Sequence, residues 1–201
     1  MKIAIDLQGY QSRGSKTRGI GRYSYTLIRN LIKNSCEHDQ FILVANKSLD
    51  KFDKEFFAFV KSNTKKVQYV EWTFPEFTKE NSTYLNANSL IAQQLRSYAF
   101  SLLNCDIILI TSFFEGFKDN CVVELDDEFG LPPVATIFYD LIPLIKSDIY
   151  LDNNPVFKEF YLNRIKYLNK VDCLLSISKS SSNEAYKYLS VDKNKIYNIY
   201  A

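Results

Sequence analysis

The segment from Gln8 to Gly21 combines small residues with positive charge and contains no acidic residue. Its glycines, and the cations within it and directly after it, are Gly9, Gly14, Gly19, Gly21, Arg13, Lys16, Arg18 and Arg22. Glycine lets a backbone approach a ligand closely, guanidinium groups suit phosphate, and a following helix offers free amide groups to an anion. The segment therefore favours phosphate binding. From the residues alone, a solvated surface loop whose glycines serve only turns is an equally open interpretation.

Other kinds of chemistry have weaker support in the sequence. The stretch from Gly19 to Ser24 is similar to a dinucleotide-binding motif, but Ser24 replaces the third glycine and the preceding loop is too long for a tight turn. No cofactor is therefore predicted. His38 is the single histidine, and the four cysteines are widely spaced, which argues against a histidine-based triad and against a zinc site.

Apolar runs that alternate with helical periodicity must position these residues. The predicted strands are 2–7, 40–45, 67–72, 106–111, 134–138, 173–177 and 195–200, and the predicted helices are 23–33, 53–62, 90–103, 156–168 and 182–189. Ser181 and Glu184 have the spacing of a capping box for the last helix. Continuously apolar strands indicate a sheet covered on both faces, so the prediction is a doubly wound, mostly parallel, Rossmann-like α/β fold. Ligands of such sheets bind at the carboxyl ends of the strands.

Composition limits the classes of partner. The chain has 201 residues, a length that suits one large α/β domain, and its net charge of +2 gives no global reason to expect a nucleic-acid partner. Met1 and Lys2 lead directly into a short apolar strand, and no apolar run approaches the length of a membrane span. The expectation is a cytoplasmic protein whose membrane contact, if any, is peripheral.

Three segments resemble glycosyltransferase family 4. The first strand is followed by Arg18-Gly19-Ile20-Gly21-Arg22-Tyr23, residues 136–144 read Thr-Ile-Phe-Tyr-Asp-Leu-Ile-Pro-Leu, and a strand at 171–177 leads into a serine-rich helix start. The resemblance implies a GT-B fold, with residues 1–201 forming the N-terminal, acceptor-side domain. The family's donor-binding C-terminal domain, with its spaced pair of glutamates, is expected to be absent from this chain.

The resemblance also implies an activity for the complete enzyme. It implies a hexosyltransferase-type reaction that moves a sugar, with retention, from a nucleotide-sugar co-substrate to a glycan or lipid-linked acceptor in surface polysaccharide biosynthesis, without an obligatory metal. This chain alone is expected to be inactive, and its implied partners include the missing C-terminal domain and no nucleic acid. The alternative is a non-catalytic glycan- or partner-binding module of degenerate glycosyltransferase origin.

The same resemblance assigns roles to residues in the first loop. Gly19 and Gly21 are expected to approach the donor diphosphate or the acceptor. On their chemistry more than on the resemblance, Arg18 and Arg22 are the candidates for phosphate contact, and for each of them a solvated loop charge is the competing interpretation.

Further candidates follow later strands. Asp140 is the predicted catalytic residue, which orients an acceptor hydroxyl or the donor sugar, or else is a turn aspartate. Tyr139, where many relatives have histidine, can hydrogen-bond a sugar but is a poor base at neutral pH. Glu115 and Ser178 are candidates for ligand contact, with helix capping or solvent exposure as the alternatives. 

The aromatic residues of 72–77, together with Tyr84, are expected to pack in the core or against a partner rather than on a sugar.

Overall fold

A computed structural model describes residues 1–74 and 87–200 and places seven strands in one sheet, in the order β3-β2-β1-β4-β5-β6-β7. The strands are β1 (Lys2–Asp6), β2 (Gln40–Asn46), β3 (Val67–Trp72), β4 (Ile107–Ile110), β5 (Val134–Phe138), β6 (Cys173–Ser176) and β7 (Ile196–Asn198). All six pairings are parallel. The predicted Rossmann-like α/β fold is confirmed, and the strand order reverses between β1 and β4, where such sheets bind ligands.

Helices connect the strands and cover the sheet. They are α1 (Gln8–Gln11), α2 (Gly19–Asn34), α3 (Lys54–Ser62), α4 (Ala87–Ser101), α5 (Ile142–Ile145), α6 (Ser147–Tyr150), α7 (Pro155–Leu168) and α8 (Lys179–Tyr188). Short 3-10 turns occur at Asp127–Phe129 and Lys193–Lys195. The sequence patterns missed α1, α5 and α6 because a helix of four residues is too short to show a period.

Each face of the sheet has its own apolar core. Ile3 and Ile5 of β1 pack with Phe56 of α3 on one face, whereas Ala4, between them, packs with Phe100 of α4 on the other. Burying one such large side chain contributes roughly 1.5–3 kcal/mol. This two-sided burial explains the nearly continuous apolar runs of the central strands, as the sequence analysis inferred, whereas the edge strand β3 carries the exposed residues Gln68 and Glu71.

Helix α2 begins four residues before the predicted start at Tyr23. Its N-cap is Arg18, so Gly19 and Gly21 lie in the first helical turn and not in the loop. Helical spacing was recognisable only from Tyr23 onwards, because glycines give no apolar signal.

The capping box predicted for α8 is wrong. The N-cap is Ser178, whose side chain accepts a hydrogen bond from the Ser181 amide at 3.1 Å. The Ser181 hydroxyl instead donates to the carbonyl of Tyr139, and the carboxylate of Glu184 accepts from the Leu141 amide at 2.8 Å. Both side chains fasten α8 to the end of β5, and α8 therefore begins at Lys179.

The described part of the aromatic segment lies in the core. Trp72 and Phe74 are both buried and stack with ring centroids 5.4 Å apart. The core role predicted for these two rings is confirmed, while Phe77 and Tyr84 lie outside the described residues.

Candidate functional site

The basic segment after β1 is more ordered than a surface loop. Helix α1 is buried along its whole length, and the amides of Ser15 and Lys16 donate to the carbonyl of Ser12 at 3.1 and 2.8 Å, which makes a tight turn. The turn leads into the first residues of α2. The whole segment is thereby held against the carboxyl ends of β1, β2 and β4.

Three carboxamides form the base beneath this segment. The side chain of Gln11 pairs with the backbone of Asn46, accepting from its amide and donating to its carbonyl, both at 2.9 Å. Asn46 in turn donates from its side chain to Oε1 of Gln8 at 3.0 Å. Each of the three side chains is at most 3% exposed. Buried amides paired in this way fix the position of α1 relative to β2.

A buried ion pair lies beside the carboxamides. Nη2 of Arg96, on α4, is 2.9 Å from Oδ2 of Asp6 at the end of β1, and both side chains are at most 1% exposed. Nη1 of Arg96 donates to the carbonyl of Glu124 at 3.0 Å. Burial lowers the pKa of Arg96, and the Asp6 carboxylate opposes that shift. No sequence pattern indicates this pair, because the two residues are far apart along the chain.

The two glycines at the start of α2 have different structural roles. A Cβ atom on Gly21 would stand 2.5 Å from the carbonyl oxygen of Ser15 and 2.6 Å from that of Lys16. Gly21 therefore lets the segment fold closely over its own helix. A Cβ atom on Gly19 would meet nothing within 4 Å, so Gly19 leaves open space above the helix start.

The four cations of the segment divide into two pairs. Arg13 forms an ion pair with Asp50 at 3.3 Å, and Nζ of Lys16 donates to the carbonyl of Lys51 at 3.0 Å. Within the described ranges, the exposed guanidinium groups of Arg18 and Arg22 have neither an ion-pair partner nor a hydrogen-bond acceptor. Arg18 is the N-cap of α2, and Arg22 is the fourth residue of that helix. Two unpaired guanidinium groups therefore belong to the start of α2, before and after Gly19 in the sequence.

Glu115 lies inside the protein, under the basic segment. It is 7% exposed, and its Oε1 atom accepts hydrogen bonds from the hydroxyls of Ser15 and Ser112, the latter at 2.8 Å. Neither solvent exposure nor helix capping, which the sequence analysis considered, describes this position. The Oε1 atom of Glu115 is therefore already used in hydrogen bonds within the protein.

Tyr139 also uses its polar atom within the protein. Its hydroxyl donates to the carbonyl of Thr111 at 3.1 Å and lies 3.5 Å from the hydroxyl of Ser24, while its ring meets Tyr23 edge to face at 5.9 Å. Burial is the main cause that raises the pKa of Tyr139. The phenol therefore remains protonated at neutral pH and joins β5 to β4 and α2.

Replacing Tyr139 by phenylalanine tests whether the hydroxyl has a purely internal role. We expect the free energy of unfolding to fall by about 0.5–1.5 kcal/mol, because one neutral hydrogen bond is lost. Affinity for inorganic pyrophosphate, measured by titration calorimetry, should stay within about twofold of the wild type. A larger loss of affinity at unchanged stability would show that Tyr139 contacts the anion.

Asp140 and Ser178 follow two neighbouring strands. Asp140 follows β5, is partly exposed, and accepts at Oδ1 from the Ile142 amide at 3.0 Å, which is the turn role considered from the sequence. Ser178 follows β6 and caps α8. The strands β1, β4, β5 and β6 are adjacent in the sheet. The candidate residues that follow them in the chain, at the carboxyl ends of the strands, are Arg18, Glu115, Asp140 and Ser178, respectively.

The described residues hold no group of three or more histidine, cysteine, aspartate or glutamate side chains placed to bind a metal ion. Among the helices of those residues, none has both the length and the apolar character needed to cross a membrane. The described residues therefore form a Rossmann-like domain in which the start of α2 is basic and suited to binding an anion.

Comparison with known proteins adds a homologue. No family model matches the chain. The chain is 31% identical over 200 residues, 99% of its length, to part of a serotype-specific mannosyltransferase, WbdA, of Escherichia coli. Two further E. coli sequences of that name are 31% identical over 114 residues, which is 57% of this chain and 14% of each relative. The chain spans about a quarter (24%) of the length of the first relative.

Proposed function

We propose that this chain is the acceptor-side domain of a glycosyltransferase of family 4 with a GT-B fold, acting in polysaccharide biosynthesis. The observation that carries the proposal is the similarity to a mannosyltransferase across 99% of the chain. The complete enzyme would transfer a hexose, mannose by analogy with the relative's name, from a nucleotide-sugar to a glycan or lipid-linked acceptor with retention. A lipid-linked acceptor would bring the protein to the inner face of the cytoplasmic membrane as a peripheral protein.

In this proposal Arg18 and Arg22 stabilise the donor diphosphate. Negative charge develops on the leaving diphosphate during transfer, and positive groups placed beside it lower the barrier. The guanidinium groups of Arg18 and Arg22 are exposed and free to bind such an anion, and a Cβ on Gly19 would meet nothing within 4 Å. Arg13 and Lys16 already have partners, since they bind an oxygen of Asp50 and of Lys51, respectively.

Asp140 is proposed to orient the acceptor hydroxyl. Its position after β5 faces the edge where ligands of such sheets bind, and Oδ1 is fixed by the Ile142 amide. A carboxylate held by one oxygen can accept a hydrogen bond from a sugar hydroxyl with the other. Ser178 is given no ligand role, because its hydroxyl already caps α8.

Anion binding by the 201-residue chain provides the first test. The double variant Arg18→Ala/Arg22→Ala should bind inorganic pyrophosphate at least about tenfold more weakly in titration calorimetry, because charge-assisted contacts are lost. Arg13→Ala is the matched control. It removes a guanidinium of the same segment that is already paired with Asp50, and it should change the affinity by less than about twofold.

Sugar transfer by the complete protein is the second test. Release of the nucleoside diphosphate should be measured with a panel of nucleotide-sugars that includes mannosyl donors. Activity that Arg18→Ala/Arg22→Ala and Asp140→Ala both abolish would support the assigned roles. A complete protein that binds glycans but transfers no sugar would favour the non-catalytic module instead.

A further inference from the structure

The basic segment is fastened to the chain after β4 by two carboxylates. Glu115 accepts from the Ser15 hydroxyl, and Asp119 accepts from the Ser12 hydroxyl at 2.7 Å and from the Arg13 amide at 3.2 Å. We propose that Glu115, acting through Ser15, is a positioning residue that sets where Arg18 and Arg22 present their charge. This inference rests on the proposed function of those two arginines.

Ser15 connects Glu115 to the start of α2. Its side chain binds Glu115, while its carbonyl oxygen accepts from the Arg18 amide at 2.9 Å and from the Gly21 amide at 3.0 Å. Those amides belong to the N-cap and the first turn of α2. The position of one carboxylate is thereby transmitted through a single residue to the helix start that carries both guanidinium groups.

Glu115 is itself held rigidly. Nη2 of Arg164, on α7, donates to the Glu115 carbonyl at 2.7 Å, and the Arg164 side chain also forms an ion pair with Glu124. Arg164 is 1% exposed. Ser112 donates to the same carboxylate oxygen as Ser15, at 2.8 Å. Because Arg164 fixes the backbone at Glu115, this buried acceptor stays in place whether or not Ser112 donates to it, and the basic segment is placed against it.

The carboxylate acts through a hydrogen bond to a neutral hydroxyl and not by charge pairing. Oε1 is the acceptor atom, and a glutamine at this position keeps a carbonyl oxygen there. Alanine removes the acceptor. The two substitutions therefore separate loss of the link from loss of the charge.

Four variants test the proposal with two measurements. The variants are Ser15→Ala, Glu115→Ala, Glu115→Gln and, as matched control, Ser112→Ala, which removes the other hydroxyl on the same oxygen. The measurements are affinity for inorganic pyrophosphate by calorimetry, and the rate of tryptic cleavage after the lysine and arginine residues of 13–18. Ser15→Ala and Glu115→Ala should each weaken pyrophosphate binding about five- to tenfold and speed cleavage.

The link also predicts non-additivity. The double variant Ser15→Ala/Glu115→Ala should lose no more affinity than the single variant that shows the larger loss, because both substitutions break the same hydrogen bond. Glu115→Gln should recover most of the affinity, and Ser112→Ala should stay within about twofold of the wild type. Wild-type affinity in Ser15→Ala, a substitution mild enough to leave the fold intact, would overturn the proposal.

Failure of the proposed function gives a different result from failure of the link. A wild-type chain that binds no pyrophosphate contradicts the phosphate role of Arg18 and Arg22. The rate of tryptic cleavage within residues 13–18 then tests the hydrogen bond between Ser15 and Glu115 without the use of pyrophosphate. Faster cleavage in Ser15→Ala than in Ser112→Ala supports it, and equal rates overturn it.

Discussion

Replacing Arg96 by methionine is expected to lower the free energy of unfolding by about 3–5 kcal/mol, because the substitution leaves a buried carboxylate without its cation. Asp6 is 1% exposed, and its remaining side-chain contacts are with neutral groups of Gln8, at 3.2 and 3.3 Å. Arg96 also packs its guanidinium over the ring of Phe100 at 4.7 Å. Methionine keeps much of that apolar packing, so the loss of stability comes mainly from removal of the positive charge. The free energy of unfolding is measured by urea unfolding followed by circular dichroism.

Two comparisons identify the cause of this loss. The double variant Asp6→Asn/Arg96→Met should recover a substantial part of the stability, since no charge is then left buried alone. Lys158→Met removes the exposed ion pair with Asp152, which solvent screens, and should lower the free energy of unfolding far less than Arg96→Met does. A loss for Arg96→Met as small as that for Lys158→Met would contradict the buried pair.

The sheet could be predicted because each of its strands carries its own signal. A run such as Phe41 to Ala45 is apolar in every position, and that pattern alone indicates a strand covered on both faces. The alternation of such runs with helices implies parallel pairing through crossovers. The fold class therefore follows from local patterns, without knowledge of any contact.

The base of the candidate site could not be predicted, because it depends on pairs that are distant in sequence. Gln8 meets Asn46, and Arg96 meets Asp6, only after β1, β2 and α4 have packed. A glutamine in a polar segment is usually exposed, so its burial gives no signal in one sequence. The same limit applies to Glu115, whose partner Ser15 lies in another connection.

The helix cap after β6 illustrates a local ambiguity. Ser178 and Ser181 each begin a plausible capping frame, and only the Ser181 frame ends in a glutamate. In the structure, tertiary hydrogen bonds to Tyr139 and Leu141 use the side chains of Ser181 and Glu184. The cap therefore shifts to Ser178. Sequence rules for capping assume that no distant partner competes for the side chains.

Gly19 and Gly21, which are separated by a single residue, should respond to alanine in opposite directions. Gly19→Ala is expected to stabilise the protein by about 0.4–1 kcal/mol, because alanine restricts the unfolded chain and its Cβ meets nothing within 4 Å. Gly21→Ala is expected to destabilise it by about 1–3 kcal/mol, because the new Cβ presses on backbone atoms. Those atoms are the carbonyl oxygens of Ser15 and Lys16, at 2.5 and 2.6 Å.

The same pair of variants separates stability from ligand binding. The Ser15 carbonyl accepts hydrogen bonds from the amides of Arg18 and Gly21 at 2.9 and 3.0 Å. The clash in Gly21→Ala pushes this carbonyl away from both amides. Pyrophosphate binding should therefore weaken about five- to tenfold at a temperature where the variant is fully folded. Gly19→Ala adds one methyl group beside the open helix start and should bind pyrophosphate within about twofold of the wild type. Equal melting temperatures and equal affinities for the two variants would show that the segment does not fold over α2 as described, since only close packing on Gly21 distinguishes them.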